Sequence, residues 1–264
     1  MKPQTTHIHL RRVVSVEAWF MGVRRQIELN RAFSQLLRRC ESRPIGLHRE
    51  FMTSTSFSDR GLYVITDGPR PDLFEAVKQA LLGGARVVQY RDKTDDTQRR
   101  HDEAETLLAL CREHDAPLII NDDISLARAV GAAGVHLGET DDSIAEARVA
   151  LGSNAIIGVS CYDSLERAQH MAKQGANYVA FGAFFPSPTK PQARRANVEL
   201  LRHSAALGIP RVAIGGITPD NGASLIAAGA DYLAVISAVF GRPDVRAAAQ
   251  HFTQLYFPDR AVSS

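Results

Sequence analysis

The sequence predicts a single (β/α)8 barrel, α/β in class, over residues 61–258, with an N-terminal extension outside it. Three observations predict it. Short apolar runs alternate with longer amphipathic stretches along the chain. Those runs are nearly continuous in Val, Ile and Tyr, the pattern of strands buried on both faces of a parallel sheet. A Gly-Ala pair then recurs at the join between a helix and the next strand, as Gly84-Ala85, Gly131-Ala132, Gly175-Ala176 and Gly229-Ala230. Glycine there suits a left-handed helix cap that turns the chain back into the sheet.

In chain order the predicted strands are 62–66, 87–91, 118–121, 135–138, 156–160, 178–182, 212–215 and 232–236. Helix-like stretches cover 71–82, which opens on Pro71 and Asp72, and 97–113, where Ala104, Leu107, Leu108 and Cys111 fall at helical spacing. Others cover 163–173, 193–206, 219–228 and 244–255. Eight strand–helix units make a closed parallel barrel the economical arrangement. A doubly wound open sheet would carry a Gly-x-Gly-x-x-Gly turn after its first strand, and Thr66-Asp67-Gly68-Pro69 is not one.

The chain has 264 residues with 45% hydrophobic and 23% charged side chains, ordinary for a globular protein able to bury a core without staples. Its net charge of +2 hides an asymmetry, because residues 1–51 carry ten Lys/Arg against four Asp/Glu. The remainder is weakly acidic, which argues against a nucleic-acid partner. Cys40, Cys111 and Cys161 form no Cys-x-x-Cys pair, so neither a disulfide framework nor a zinc site is expected and a reducing cytoplasm fits. No apolar run has the roughly 18 to 20 residues of a membrane span.

Residues 1–60 stand apart and are expected to be poorly ordered, and residues 259–264 form a short C-terminal tail. Three readings of the extension compete: an Arg-rich targeting segment, a secretory signal lacking its small-residue cleavage site, and sequence upstream of a true start at Met52. The last is preferred, because Met52 opens a polar stretch just before the first strand.

Barrel enzymes place their chemistry at the C-terminal ends of strands. Polar residues gather there: Gln89 to Lys93, Asn121-Asp122-Asp123, Glu139-Thr140-Asp141, Ser160, Ser187 to Lys190, Gly215-Gly216 and Ser237. Each has a plainer reading. Arg91 and Lys93 are compatible with a solvated face, Asp123 with a helix cap, Gly215-Gly216 with a tight turn and His136 with a packed strand histidine. Their joint placement on one rim favours chemistry. Asp122 and Asp141 suit Mg²⁺, which takes one or two protein carboxylates alongside substrate phosphate oxygens. Arg91, Lys93 and Lys190 supply cations for a diphosphate. Backbone N–H groups after strands seven and eight occupy the usual phosphate position of such barrels.

These residues closely resemble the thiamine-phosphate synthase family. The resemblance is carried by Tyr63-Val64-Ile65-Thr66-Asp67, Gln89-x-Arg91-x-Lys93, Ile120-Asn121-Asp122-Asp123, Gly134-Val135-His136-Leu137-Gly138, Gly158-Val159-Ser160, Thr189-Lys190-Pro191, Ala213-Ile214-Gly215-Gly216-Ile217 and Val235-Ile236-Ser237. It implies a magnesium-dependent transferase of alkyl groups that joins hydroxymethylpyrimidine diphosphate to thiazole phosphate with release of diphosphate. It further implies that Arg91, Lys93, Ser160 and Lys190 carry the chemistry. The stretch Gln89, Tyr90, Arg91, Asp92, Lys93 would contact the diphosphate substrate with Asn121, Ser160 and Lys190. Asp122 and Asp141 would hold the metal. Ser187, Pro188, Thr189, Gly216, Ile236 and Ser237 would hold the thiazole phosphate. The partners would be these small molecules, with no nucleic acid and no membrane; a homo-oligomer is compatible.

Two positions depart from the family pattern. Glu139 stands where Gln is usual, adding negative charge near the metal, and Ser187-Pro188-Thr189 replaces Thr-x-Thr. The rival readings are a thiazole tautomerase-like isomerase, a non-catalytic barrel binding thiamine precursors, and another phosphosugar barrel. The tautomerase lacks the Asn-Asp-Asp motif and carries a histidine where Cys161-Tyr162 stands here.

Overall fold

The structure is a computed structural model and describes Phe57 and residues 60–139, 143–186 and 194–257. Contacts divide the chain into two units, 1–53 and 54–264, of which the first lies outside the described residues.

Eight strands, β1 (Gly61–Ile65), β2 (Ala85–Tyr90), β3 (Leu118–Asn121), β4 (Gly134–Leu137), β5 (Ile156–Tyr162), β6 (Tyr178–Phe181), β7 (Arg211–Ile214) and β8 (Tyr232–Val235), form a closed barrel. All neighbours are parallel and follow chain order, and β1 closes on β8 through Gly61 to Val64 opposite Tyr232 to Val235. The barrel expected from the sequence is thus observed, with strand ends moved by at most two residues.

The helices between the strands are α1 (Leu73–Leu82), α2 (Thr97–Glu113), α3 (Ile124–Val130), α4 (Ile144–Leu151), α5 (Leu165–Lys173), α6 (Val198–His203), α7 (Pro219–Ala227), α8 (Ser237–Phe240) and α9 (Val245–Tyr256). Short polar residues start most of them by accepting a backbone N–H. Asp96, Asp123, Ser164, Asn197 and Asp244 do so for α2, α3, α5, α6 and α9. Ser143 with Glu146, and Thr218 with Asn221, form capping boxes on α4 and α7. The four glycines of the Gly-Ala pairs all have positive φ, from 70° at Gly131 to 106° at Gly229. The helix predicted over 193–206 is shorter: α6 ends at His203 and tightens into a 3-10 turn at Ser204–Leu207.

Side chains alternate across each strand and build two apolar layers. Leu62, Val64, Val88, Ile120 and Val179 face outward into the layer beneath the helices. Tyr63, Ile65, Val87, Ile119, Ile156, Tyr178, Val212 and Tyr232 face inward and fill the bore. Tyr63, Tyr178 and Tyr232 are each at most 1% exposed. Phe57 joins this inner layer, stacked on Tyr178 at 4.3 Å between centroids and 4.7 Å from Tyr232. The ring of Phe57, ahead of the boundary expected at residue 60, thus packs with the inner aromatic layer of the barrel.

Candidate active site

A cavity of about 660 Å³ opens above the inner aromatic layer, at the C-terminal ends of the strands. The alternation that builds the core also decides which polar side chains reach it. From β2, Gln89 and Arg91 line the cavity. Gln89 is 2% exposed and donates from Nε2 to the Tyr63 hydroxyl at 2.8 Å. Arg91 is anchored through its backbone, since Thr66 Oγ1 accepts from its N–H at 2.8 Å and donates to its carbonyl at 3.0 Å. That leaves the guanidinium without an ion pair among the described residues.

Tyr90 and Asp92, expected beside them at the substrate, have the opposite parity and do not line this cavity. Tyr90 packs in the outer layer and donates to Glu103 of α2 at 2.6 Å. Asp92 is 7% exposed and ion-pairs with Arg99 of α2 at 2.7 Å. Burial opposes ionisation of Asp92, but bonds from Thr94 and Arg99 outweigh it and hold the carboxyl below its ordinary range. Both residues fasten α2 to the end of β2.

At the end of β3, Asn121 lines the cavity and donates from Nδ2 to Asp122 Oδ2 at 2.6 Å. Lys93 bonds to the same oxygen. Asp122 sits at φ 62° and its N–H donates to the His136 carbonyl at 2.8 Å. Because both side-chain bonds fall on Oδ2, Oδ1 has no hydrogen bond among the described residues, so one hard oxygen ligand is available at the rim. Asp123 has the cap role anticipated for it, accepting from Leu126 N–H at 2.8 Å, and also binds Arg100 at 2.7 Å.

His136 of β4 and Ser160 of β5 meet across the cavity wall, Nε2 to Oγ at 2.9 Å. Nδ1 of His136 lies 2.9 Å from the Tyr178 hydroxyl. The reading of His136 as a packed strand residue is therefore incomplete, since the ring is both bonded and part of the cavity wall. Arg167 of α5 secures this wall from outside, donating to the carbonyls of Ser160 at 2.9 Å and Gly138 at 3.0 Å. Cys161 faces the outer layer, fully buried, with burial pushing its thiol up to about 12. Tyr162, at φ 53°, turns its ring to the cavity instead.

The far side is made of backbone. Gly215 and Gly216 have φ of 102° and 62°. A Cβ on Gly216 would stand 2.4 Å from the Pro186 carbonyl oxygen, so only glycine lets the two loops pass. Gly216, Ile236 and Ser237 line the cavity, together with Thr218, Ala238 and Arg242. The first N–H groups of α8 have no carbonyl partner within that helix. Of the other expected site residues, Asp141, Ser187, Pro188, Thr189 and Lys190 lie outside the described residues.

The chain matches the family model described as thiamine monophosphate synthase over residues 62–239. This chain belongs to the thiamine monophosphate synthase family. It is 53% identical over 207 residues to a thiamine-phosphate synthase of Nitrosococcus oceani, covering 77% of this chain and 95% of that one. A thiamine-phosphate synthase of Thiobacillus denitrificans is 54% identical over 200 residues, covering 74% and 94%. Among solved structures, a thiamine phosphate pyrophosphorylase from Pyrococcus furiosus superposes with a TM-score of 0.69 at 40% identity, covering 76% and 97%.

Within a thiamine monophosphate synthase barrel, Glu139 acquires a physical account. Arg194 donates to its Oε2 at 2.6 Å and lies with its guanidinium carbon 4.2 Å from the centre of the Tyr162 ring. The added negative charge thus has its own counter-charge beside it. Sequence reasoning missed Arg194, His136, Tyr178 and Tyr63 as parts of the site. The inward parity of His136, Tyr178 and Tyr63 was available as a signal; for Arg194 there was none.

Proposed function

We propose that this barrel condenses hydroxymethylpyrimidine diphosphate with thiazole phosphate to give thiamine phosphate and diphosphate. One observation carries the reading: a single cavity is bordered by Arg91 and Asn121 on one side and by the Gly216 and Ser237 backbone on the other. Two separate anion sites facing one space suit a diphosphate substrate and a monophosphate substrate held together.

In this reading Gln89 and Ser160 orient the pyrimidine, while Arg91, Lys93, Asn121 and Lys190 hold the diphosphate. Charge-assisted bonds of that kind contribute about 1.5–3 kcal/mol each. Ser187 to Thr189, Gly216, Ile236 and Ser237 hold the thiazole phosphate. The bond from the pyrimidine methylene carbon to the diphosphate oxygen breaks with its electron pair leaving on oxygen. The thiazole nitrogen lone pair then forms the new C–N bond, and no covalent bond to the protein is needed. Asp122 and Asp141 are the residues that would hold Mg²⁺, which supplies neutralising charge to the leaving diphosphate. The bonds of Lys93 and Asn121 to Asp122 keep that carboxylate aimed at the rim. No helix among the described residues is long and apolar enough to cross a membrane.

The tautomerase reading is weaker because the Asn121-Asp122-Asp123 motif is present and Cys161-Tyr162, not a histidine, stands where its histidine would be. An assay with both phosphorylated precursors, with and without Mg²⁺, tests the proposal. Thiamine phosphate should form only when both substrates and the metal are present. Conversion of a thiazole substrate alone would transfer the barrel to the isomerase reading.

A further inference from the structure

Five polar side chains from five strands form one hydrogen-bonded row across the floor of the cavity. Gln89 Nε2 lies 2.8 Å from the Tyr63 hydroxyl, and that hydroxyl lies 2.8 Å from the hydroxyl of Tyr178. The Tyr178 hydroxyl lies 2.9 Å from His136 Nδ1, and His136 Nε2 lies 2.9 Å from Ser160 Oγ. Two features hold Tyr178 at the centre of the row. Phe57 stacks on its ring, and Gly158 of β5 leaves room for it, since a Cβ there would come within 1.9 Å of the ring.

Proton counting gives this row a direction. An amide nitrogen only donates, so Tyr63 accepts from Gln89 and has one proton of its own to give. Either hydroxyl could donate by distance alone, but among the described residues the Tyr63 proton has the Tyr178 hydroxyl as its one acceptor. Tyr178, accepting that hydrogen bond, donates its own to His136 Nδ1. A neutral imidazole accepting at Nδ1 carries its proton on Nε2, where it donates to Ser160 Oγ. Ser160 is then left with its hydroxyl proton to offer to the cavity, while Gln89 has its carbonyl oxygen to offer. Burial keeps both phenols protonated by raising them well above their ordinary value.

We propose that Tyr178 is a positioning residue: by donating to His136 Nδ1 it selects the Nε2–H tautomer, so that Ser160 meets the substrate as a donor and Gln89 as an acceptor. The row presents opposite hydrogen-bonding characters at its two ends. A heteroaromatic ring with an acceptor nitrogen toward Ser160 and an amino group toward Gln89 matches it; the same ring with these groups exchanged does not. The substrate half of this statement rests on reading Gln89 and Ser160 as pyrimidine contacts, whereas the tautomer half does not.

The test uses the full chain labelled with 15N in its histidine rings. The His136 resonances are assigned by their loss in His136→Gln, and long-range 1H–15N spectra report which nitrogen carries the proton. The expected result is a proton on Nε2 in the parent protein and a mixture of tautomers in Tyr178→Phe, which keeps the ring and removes the hydroxyl. A parent protein protonated at Nδ1 overturns the proposal, and this measurement stands even where Tyr178→Phe does not fold. In kinetics, Tyr178→Phe should lower kcat/KM by about tenfold, the loss of one hydrogen bond, through the pyrimidine substrate and not through KM for thiazole phosphate. The Tyr178→Phe/Ser160→Ala double variant should be no slower than Ser160→Ala; fully additive losses overturn the proposal. Parental kinetics in Ser160→Ala with the Nε2–H tautomer intact would sink the substrate contact and leave the tautomer assignment standing.

Discussion

Asp122 occupies the left-handed region at φ 62°, a conformation that costs a side-chain-bearing residue about 1 kcal/mol and that Asp and Asn tolerate best. The backbone bond to His136 and the side-chain bonds from Lys93 and Asn121 maintain it. Asp122→Asn keeps the shape and the backbone tolerance but removes the charge. Turnover is expected to fall by about two orders of magnitude, with poor recovery in excess Mg²⁺, as read from initial rates across a Mg²⁺ titration. Rates near the parental value at ordinary Mg²⁺ would take Asp122 out of that role. At this scale the sequence was only partly readable. Chemical type and strand-end position pointed to Gln89, Arg91, Asn121 and Ser160, all of which line the cavity. Tyr90 and Asp92 were grouped with them by adjacency, although a period of two sends them to the other face. Arg194 could not be foreseen, since its pairing with Glu139 spans 55 positions and depends on how two loops return to the rim.

At the scale of elements, the contact between β5 and β6 at Gly158 shows how core packing and the site are joined. A methyl group there would collide with the Tyr178 ring, on which Phe57 is stacked. Gly158→Ala is expected to cost about 1–3 kcal/mol or more through overpacking, read as a lowered thermal midpoint. It should also lower activity, because Tyr178 cannot move without leaving His136. A variant with parental stability would show that the strand shifts freely at this point. The strands and the long helices were legible from apolar runs and from helical spacing in α2. The helices α3 and α4, seven and eight residues long, were not, because two turns are too short for a period of 3.6 to be distinguished from chance. Their caps, Asp123 and Ser143, were the better signal.

For the whole molecule, the buried tyrosines set a limit on the alkaline side. Burial, the largest cause, raises Tyr63 and Tyr178 well above the ordinary phenol value. Above about pH 10 the unfolded chain loses these protons while the folded protein keeps them, so the unfolded state binds fewer protons and stability falls as pH rises. The contribution is fully present below about pH 10 and declines by roughly 1.4 kcal/mol per pH unit for each tyrosine above it. Urea midpoints at pH 9 and pH 11 should show the decline, and Tyr63→Phe should reduce its slope; a flat response would mean that the phenols ionise in place. The extension supplies a second test at this scale. Removing residues 1–51 should leave stability and activity unchanged, whereas removing 1–60 also takes Phe57 from the aromatic layer and should cost about 2 kcal/mol or more, measured by urea unfolding. Equal stability of the two truncations would show that the Phe57 ring contributes nothing.

Phe57 and the three tyrosines also act as a floor. With the bore filled below the cavity, traffic has to use the rim end alone, for arrival and departure alike. In the proposed reaction two reactants of unequal depth would then queue: the one seated against Gln89 and Ser160 enters first, and the later arrival covers it. Steady-state kinetics should accordingly be ordered, with the deeper molecule trapped whenever the shallower one is saturating.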